Sequence, residues 1–276
     1  MIRQVRLLVV SLAVLSLAAC VSPEMVEPAP TAVSELAPSG DSASSPTETA
    51  EEPTPASTPT AEGDPYADLR AQMVETTIRA RGVESPAVIE AMLAVPRHEF
   101  VPENLVDQAY GDSPLPIGYG QTISQPYIVA LMTEALDLEA GDVVLEIGTG
   151  SGYQAAVLAE IVKQVYTIEI VGALAESAAD RLEALGYDNV EVRHADGYLG
   201  WPEHAPFDAI VVTAAPDHVP PPLRAQLADG GRLVLPVGPV GGYQELWLVE
   251  RDGDEFTTTS LGGVRFVPLT RDVREE

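Results

Sequence analysis

The sequence predicts an α/β domain: a doubly wound parallel sheet, with helices ahead of it and antiparallel strands at its C-terminal end. Three observations carry this expectation. From Asp142 to Val237, short continuous apolar runs alternate with helical ones, as strands covered on both faces require. Before Asp142 the apolar residues keep helical spacing, and after Val237 the runs read as strands with little room for helices between them. No internal repeat interrupts the pattern.

The elements follow in order. Helical spacing begins at about Tyr66, with Leu69, Met73, Val74 and Ile78, and returns over residues 86–95. Residues 97–120 are rich in Pro and Gly and read as loop. Residues 126–136 read as a helix with Ile128, Val129, Met132 and Leu136 on one side. Strands are expected at 143–147, 165–170, 190–193, 207–213 and 232–237, and helices at 153–162, 172–185 and 222–227. The tail reads as three strands, 244–250, 255–260 and 264–267.

Composition narrows the function. Among 276 residues, 42 are Asp or Glu and 15 are Lys or Arg, a formal net charge of −27. Nucleic-acid binders draw affinity from Lys and Arg that neutralise phosphates, so this balance argues against one. It argues equally against a basic patch docking on anionic lipid. One cysteine, Cys20, excludes an intrachain disulfide framework and any multi-cysteine zinc site. The histidines, at 98, 194, 204 and 218, lack metal-ligand spacing, so no metal is expected.

The first 65 residues are an address and a tether. Arg3 and Arg6 precede an apolar run from Leu7 to Ala19, broken only by Ser11 and Ser16, with small residues before Cys20. This is the layout of a secretory signal, and the run is shorter than the roughly 20 apolar residues a spanning helix needs. Leu17-Ala18-Ala19-Cys20 resembles the lipobox of bacterial lipoproteins, which are cleaved before the cysteine and lipidated on it. Residues 1–20 are therefore expected to be a lipoprotein-type signal, and the domain to be exported and joined to a membrane only through a lipid anchor. Residues 21–65 hold nine Pro, nine acidic residues and no Lys or Arg. Such a segment cannot bury enough apolar surface to offset its ordering entropy, and it reads as an extended spacer. Residues 66–276 form the folded domain.

The chemistry concentrates after the first parallel strand, which runs into Gly148-Thr149-Gly150-Ser151-Gly152 and then a helix. Glycines there allow a tight turn and a close approach of backbone to ligand. The spacing differs from a dinucleotide fingerprint, because the third glycine falls one residue early and Tyr153 takes its usual place. No phosphate-cradling G-x-x-x-x-G-K-[ST] is present. Glu146, two residues before the first glycine, is expected near the mouth of the site. It would repel a pyrophosphate but suits a ligand bearing ammonium and sulfonium groups. Glu169 ends the second strand 21 residues after Gly148, where a carboxylate can accept hydrogen bonds from both hydroxyls of a ribose.

Glu-x-Gly-x-Gly-x-Gly, with an acidic residue ending the next strand, resembles the class I methyltransferases that bind S-adenosylmethionine on a Rossmann-like sheet. That resemblance implies a donor site made of Glu146, Gly148, Thr149, Gly150, Gly152 and Glu169. It places Asp196 and Gly197 against the adenine ring. The likeness narrows over the rest of the domain. Pro96-Arg97-His98-Glu99-Phe100-Val101-Pro102, Tyr110, Asp112, Leu115-Pro116-Ile117-Gly118 and Gly120-Gln121-Thr122-Ile123-Ser124-Gln125-Pro126 resemble the protein-L-isoaspartate O-methyltransferases. So do residues 148–155, 194–201, 207–216, 233–238 and 264–269, and the match spans about Leu69 to Leu269. Ala195 stands where that family often has glycine.

The resemblance implies methyl transfer to the α-carboxylate of an L-isoaspartyl residue in damaged protein, with ring closure of the ester to a succinimide. It implies Ser124, with Thr122, as the holder of that carboxylate, and the loop around Gly120 as a lid over the donor. A Ser at 124 could also cap the helix that Pro126 begins. A carboxylate with pKa near 4 is already ionised at neutral pH, so no catalytic triad or metal cluster is called for. His98 reads as a packed loop residue and His218 as solvent-facing. A methyltransferase for another carboxyl or small-molecule acceptor shares most of these features, and a lipoprotein keeping the fold without catalysis shares the leader. Nothing in the sequence demands more than a monomer. The family is usually cytoplasmic, which is where a mis-assigned leader would leave this chain.

Overall fold

The computed structural model describes residues 64–239 and 241–273, so Cys20, the signal and the spacer up to residue 63 lie outside the described part. Helix α1 (Ala67–Met73) runs on through a π-helical turn (Val74–Ile78) and a 3-10 turn (Arg79–Arg81), and Gly82 ends the run at φ 93°. Helix α2 (Pro86–Ala94) follows, with Pro at its first position, where no backbone N–H is needed. The backbone N–H groups of Glu84 and Ser85 donate to Glu134 on α3 (Pro126–Ala135), at 2.6 and 2.7 Å, which ties the two helices together.

Strands β3 (Val143–Ile147), β4 (Gln164–Glu169), β5 (Val190–His194), β6 (Phe207–Val212), β7 (Leu227–Val237), β8 (Gln244–Asp252) and β9 (Glu255–Val264) form one sheet in the order β5-β4-β3-β6-β7-β8-β9. The first five pair in parallel, and β8 and β9 add antiparallel to β7. Successive side chains enter opposite cores. Val144, Val165, Ala209, Val211 and Val234 pack with α1–α3 and with α4 (Tyr153–Ala159). Leu145, Ile147, Ile210, Val212 and Leu233 pack instead with Leu223 of α6 (Pro221–Gln226). Both faces are covered, and the central strands β3 and β6 are therefore mostly apolar on both faces instead of alternating. The order reverses at β3, with β4 on one side and β6 on the other, and a crevice opens at the carboxyl ends of these strands.

Two expectations need correction. Residues 97–120 are not simply loop. They contain 3-10 turns at Arg97–Phe100 and Glu103–Gln108, and then β1 (Leu115–Gly118), which pairs antiparallel with β2 (Gln121–Ile123). Tyr119 and Gly120 make the two-residue turn, at φ 52° and 73°. That geometry matches the right-handed strand twist, and with no Asn-Gly or Asp-Gly pair the hairpin signal was easy to miss. The tail has two strands where three were expected, because β9 runs unbroken to Val264. Beyond it, Val267 and Leu269 bond to Ala215, which carries the chain back across the end of β6.

Candidate functional site

The glycine turn between β3 and α4 lies at the crevice, and each glycine meets a physical constraint. Gly148 has φ 98°, and a Cβ there would sit 2.5 Å from the Thr213 hydroxyl oxygen. Gly150 has φ 55°, and a Cβ there would lie 3.2 Å from the Ile117 Cδ1 of the β1–β2 hairpin. Gly152 has φ 91° and abuts Leu182 of α5 (Gly172–Ala184). Neighbouring side chains close on the turn at Gly148 and Gly150, which line the cleft, whereas Gly152 makes room for Leu182 and lies outside the lining. Across the crevice, Gly197 is held against Ile147, whose Cγ2 would lie 2.4 Å from any Cβ added there.

The cleft spans about 760 Å³, counting the space open to solvent at its mouth, and is lined by the segment Gln121–Ser124, residues 148–151 of the glycine turn, Glu146, Glu169, Gly197, Thr213 and the tail around Leu269. A concave site of mixed apolar and polar lining suits a small organic ligand. The hairpin borders it from Gln121 onward, and Gly120 is outside the lining.

Glu146 is not at the mouth, as the sequence suggested, but on the floor. It is fully buried, because it follows Val144 on the same face of β3 and the glycine turn folds over it. Oε2 accepts a hydrogen bond from the Thr167 hydroxyl at 2.6 Å. The Thr167 hydroxyl is 2.6 Å from the Thr149 hydroxyl, so Thr149 donates in turn and its side chain is spent on this chain of bonds. Oε1 has no partner among the described residues. Burial pushes the carboxyl up to about 8, helped by the charge of Glu169 and opposed by the Thr167 bond. A buried acceptor left open costs free energy unless a ligand meets it, and a cationic group meets it best.

Glu169 is also buried, and backbone orients it. Oε2 accepts from Gly150 N–H at 2.8 Å, and Oε1 accepts from Ile170 and Val171 N–H at 2.9 and 3.0 Å. A carboxylate has about four lone-pair sites, so one stays open and a second hydroxyl must share an oxygen with a backbone N–H. Asp196 sits differently from its neighbour Gly197. Its Oδ1 caps the turn through Tyr198 N–H at 3.0 Å, and its Oδ2 pairs with Arg271 at 3.1 Å. Gly197 lines the cleft, whereas Asp196 is spent holding that turn and latching the tail.

Ser124 and Thr122 border the cleft together, and among the described residues neither hydroxyl has a hydrogen-bond partner. Helix α3 is capped at Gln125 without a side-chain bond, so Ser124 does not serve as a helix cap. His98 is half-buried, with Nδ1 2.8 Å from the Tyr110 hydroxyl, away from the cleft lining. His218 is exposed.

Sequence reasoning missed several wall residues. Tyr153 and Gln154 present the first turn of α4, Thr213 donates to the carbonyls of Ile147 and Gly148, and the tail around Pro268 closes one side. The tail had a signal, since residues 264–269 carry part of the likeness noted above, but a strand reading sent it elsewhere.

The family model for protein-L-isoaspartate(D-aspartate) O-methyltransferase matches residues 68–274. The chain belongs to that family. It is 57% identical over 215 residues to protein-L-isoaspartate O-methyltransferase 2 of Shewanella sediminis, covering 78% of this chain and 88% of that one. The protein-L-isoaspartate O-methyltransferase of Gloeobacter violaceus is 56% identical over 204 residues, which is 74% of this chain and 100% of its own length. Among solved structures, a protein-L-isoaspartate O-methyltransferase aligns with TM-score 0.68 and 31% identity, covering 74% of this chain and 67% of its own. One from Plasmodium falciparum, in complex with S-adenosyl-L-homocysteine, aligns with TM-score 0.63 and 25% identity, covering 75% and 99%.

Proposed function

We propose that this chain is an S-adenosylmethionine-dependent methyltransferase that esterifies the α-carboxylate of L-isoaspartyl residues in damaged proteins. One observation carries the reading. A single cleft joins a glycine turn, floored by a carboxylate whose Oε1 has no partner among the described residues, to the side chains of Ser124 and Thr122 on the neighbouring segment. Relatives at 56–60% identity that bear the name of this activity support it.

The residues fit the donor. Glu146 Oε1 would meet a cationic group, the open site of Glu169 would take a ribose hydroxyl, and Gly148, Gly150 and Gly197 line the cleft without a side chain, while Gly152 lets α5 pack beneath the turn. Thr149 fixes the turn through Thr167, and Asp196 fixes Gly197. S-adenosylmethionine, when bound, supplies a methyl group made electrophilic by its sulfonium. Ser124 and Thr122 donate to the acceptor carboxylate and orient one of its oxygens. The carboxylate is ionised at neutral pH, so these residues position it and need not remove a proton. Charge is lost on the way to the ester, so a cleft that excludes water favours the step.

Substituting Ser124→Ala tests the placement. A hydrogen bond to a charged group contributes about 1.5–3 kcal/mol, so kcat/KM for an isoaspartyl peptide is expected to fall roughly tenfold to hundredfold. An unchanged kcat/KM removes Ser124 from the site.

The reading extends to the leader: the chain is exported, Cys20 carries the lipid, and residues 21–65 hold the domain away from the membrane. Labelled palmitate is expected to mark the full chain and to leave Cys20→Ala unmarked. An unlabelled native chain contradicts the anchor.

A further inference from the structure

Arg97 is the largest fully buried side chain among the described residues. It lies in the 3-10 turn Arg97–Phe100, behind two residues of the cleft wall. Its Nη2 donates to the Ser124 carbonyl at 2.7 Å, and its Nε donates to the Ala109 carbonyl at 2.8 Å. Its guanidinium carbon sits 4.7 Å from the centre of the Tyr153 ring. Nη1 has no partner among the described residues. No carboxylate among those residues forms an ion pair with it, because the nearby Asp112 is engaged by Arg81 at 2.8 Å and by Tyr127 N–H.

An arginine stays protonated, so this is a full positive charge held in the interior without a direct ion pair among the described residues, opposed only from a distance by Asp112. Such a charge is costly unless something opposes it. The cleft wall it supports is where a carboxylate is expected to bind. Pulling the Ser124 carbonyl inward also keeps a negative dipole end from facing that carboxylate.

We infer that Arg97 is a positioning residue for the acceptor carboxylate. Its bond to the Ser124 carbonyl fixes the segment that presents the Ser124 hydroxyl, and its buried charge is balanced when the carboxylate of the substrate arrives. This inference rests on reading the cleft as the isoaspartyl site and names how that site prefers an anion.

The test uses the full chain, an isoaspartyl peptide, and a twin in which the α-carboxylate is a carboxamide. Binding of both peptides, and of S-adenosyl-L-homocysteine, is measured for the native chain, Arg97→Gln and Arg97→Lys. Native protein is expected to prefer the carboxylate peptide. Arg97→Gln is expected to weaken binding of the carboxylate peptide at least tenfold and to shrink that preference, with S-adenosyl-L-homocysteine affinity kept within twofold. Arg97→Lys restores the preference but, having lost the planar fork, turns over more slowly. A folded Arg97→Gln that keeps the preference overturns the inference, as does a parallel loss of peptide and S-adenosyl-L-homocysteine binding. Should Arg97→Gln fail to fold, Arg97→Lys decides alone: a lost preference despite the retained charge overturns it. A native chain that methylates neither peptide overturns the functional reading and this inference with it. A native chain that methylates normally while Arg97→Gln keeps its preference overturns this inference only.

Discussion

Substituting Glu146→Gln is expected to make the donor-free protein more stable at neutral and alkaline pH while weakening donor binding at least tenfold. The carboxyl is raised from 4.5 to about 8 by burial on the floor of the cleft. A carboxyl raised on folding binds a proton more tightly in the native state than in the unfolded chain. Its contribution is therefore favourable below pH 4.5 and is lost progressively as pH rises towards 8. Glutamine resembles the protonated acid and does not titrate. The unfolding free energy of the variant should thus match that of the native protein near pH 4 and exceed it increasingly up to about pH 8, by a margin on the order of a few kcal/mol, with the melting temperature following. Donor binding runs the other way, because a cation meets the ionised form and draws it out. Thermal unfolding across pH, with and without S-adenosyl-L-homocysteine, checks both halves. A pH-independent difference between variant and native protein contradicts the burial argument.

Gly148→Ala is expected to abolish measurable donor binding. The residue has φ 98°, and the added Cβ would meet the Thr213 hydroxyl oxygen at 2.5 Å. That hydroxyl already bonds to the carbonyls of Ile147 and Gly148, so it cannot retreat without releasing the end of β3. Strain of roughly 1–3 kcal/mol follows from the backbone alone, and the turn must shift in addition. Gly82→Ala is the control. It has a similar φ of 93° but nothing within 4 Å of its Cβ, so it should lose only stability and leave donor affinity intact. Equal donor affinity in Gly148→Ala and the native chain would show that the turn does not frame the ligand.

The sequence revealed the parts of this molecule that depend on local pattern. Val143–Ile147 is apolar on both faces apart from Glu146 because both sides of the strand are covered, and that pattern is visible without coordinates. The glycine turn was legible for the same reason, since a turn at positive φ leaves a mark in residue type. What the sequence hid depends on contacts between distant segments. Glu146 was expected near the mouth, but it is buried on the floor, where Thr167 on the neighbouring strand engages one of its oxygens. Asp196 was expected against a ligand, but Arg271, 75 positions later, takes its carboxylate. The β1–β2 hairpin was hidden because Tyr119, not Asn or Asp, stands before Gly120 in its turn. Arg97 was visible in a motif, but its lack of a direct ion pair appears only once Asp112 is seen to be paired with Arg81.

The central claim is that this cleft methylates isoaspartyl carboxylates. The most direct test incubates the full chain with methyl-labelled S-adenosylmethionine and two peptides of the same sequence, one L-isoaspartyl and one L-aspartyl. The account predicts base-labile label on the isoaspartyl peptide and none on its twin. Equal labelling of both peptides, or none of either, would contradict it.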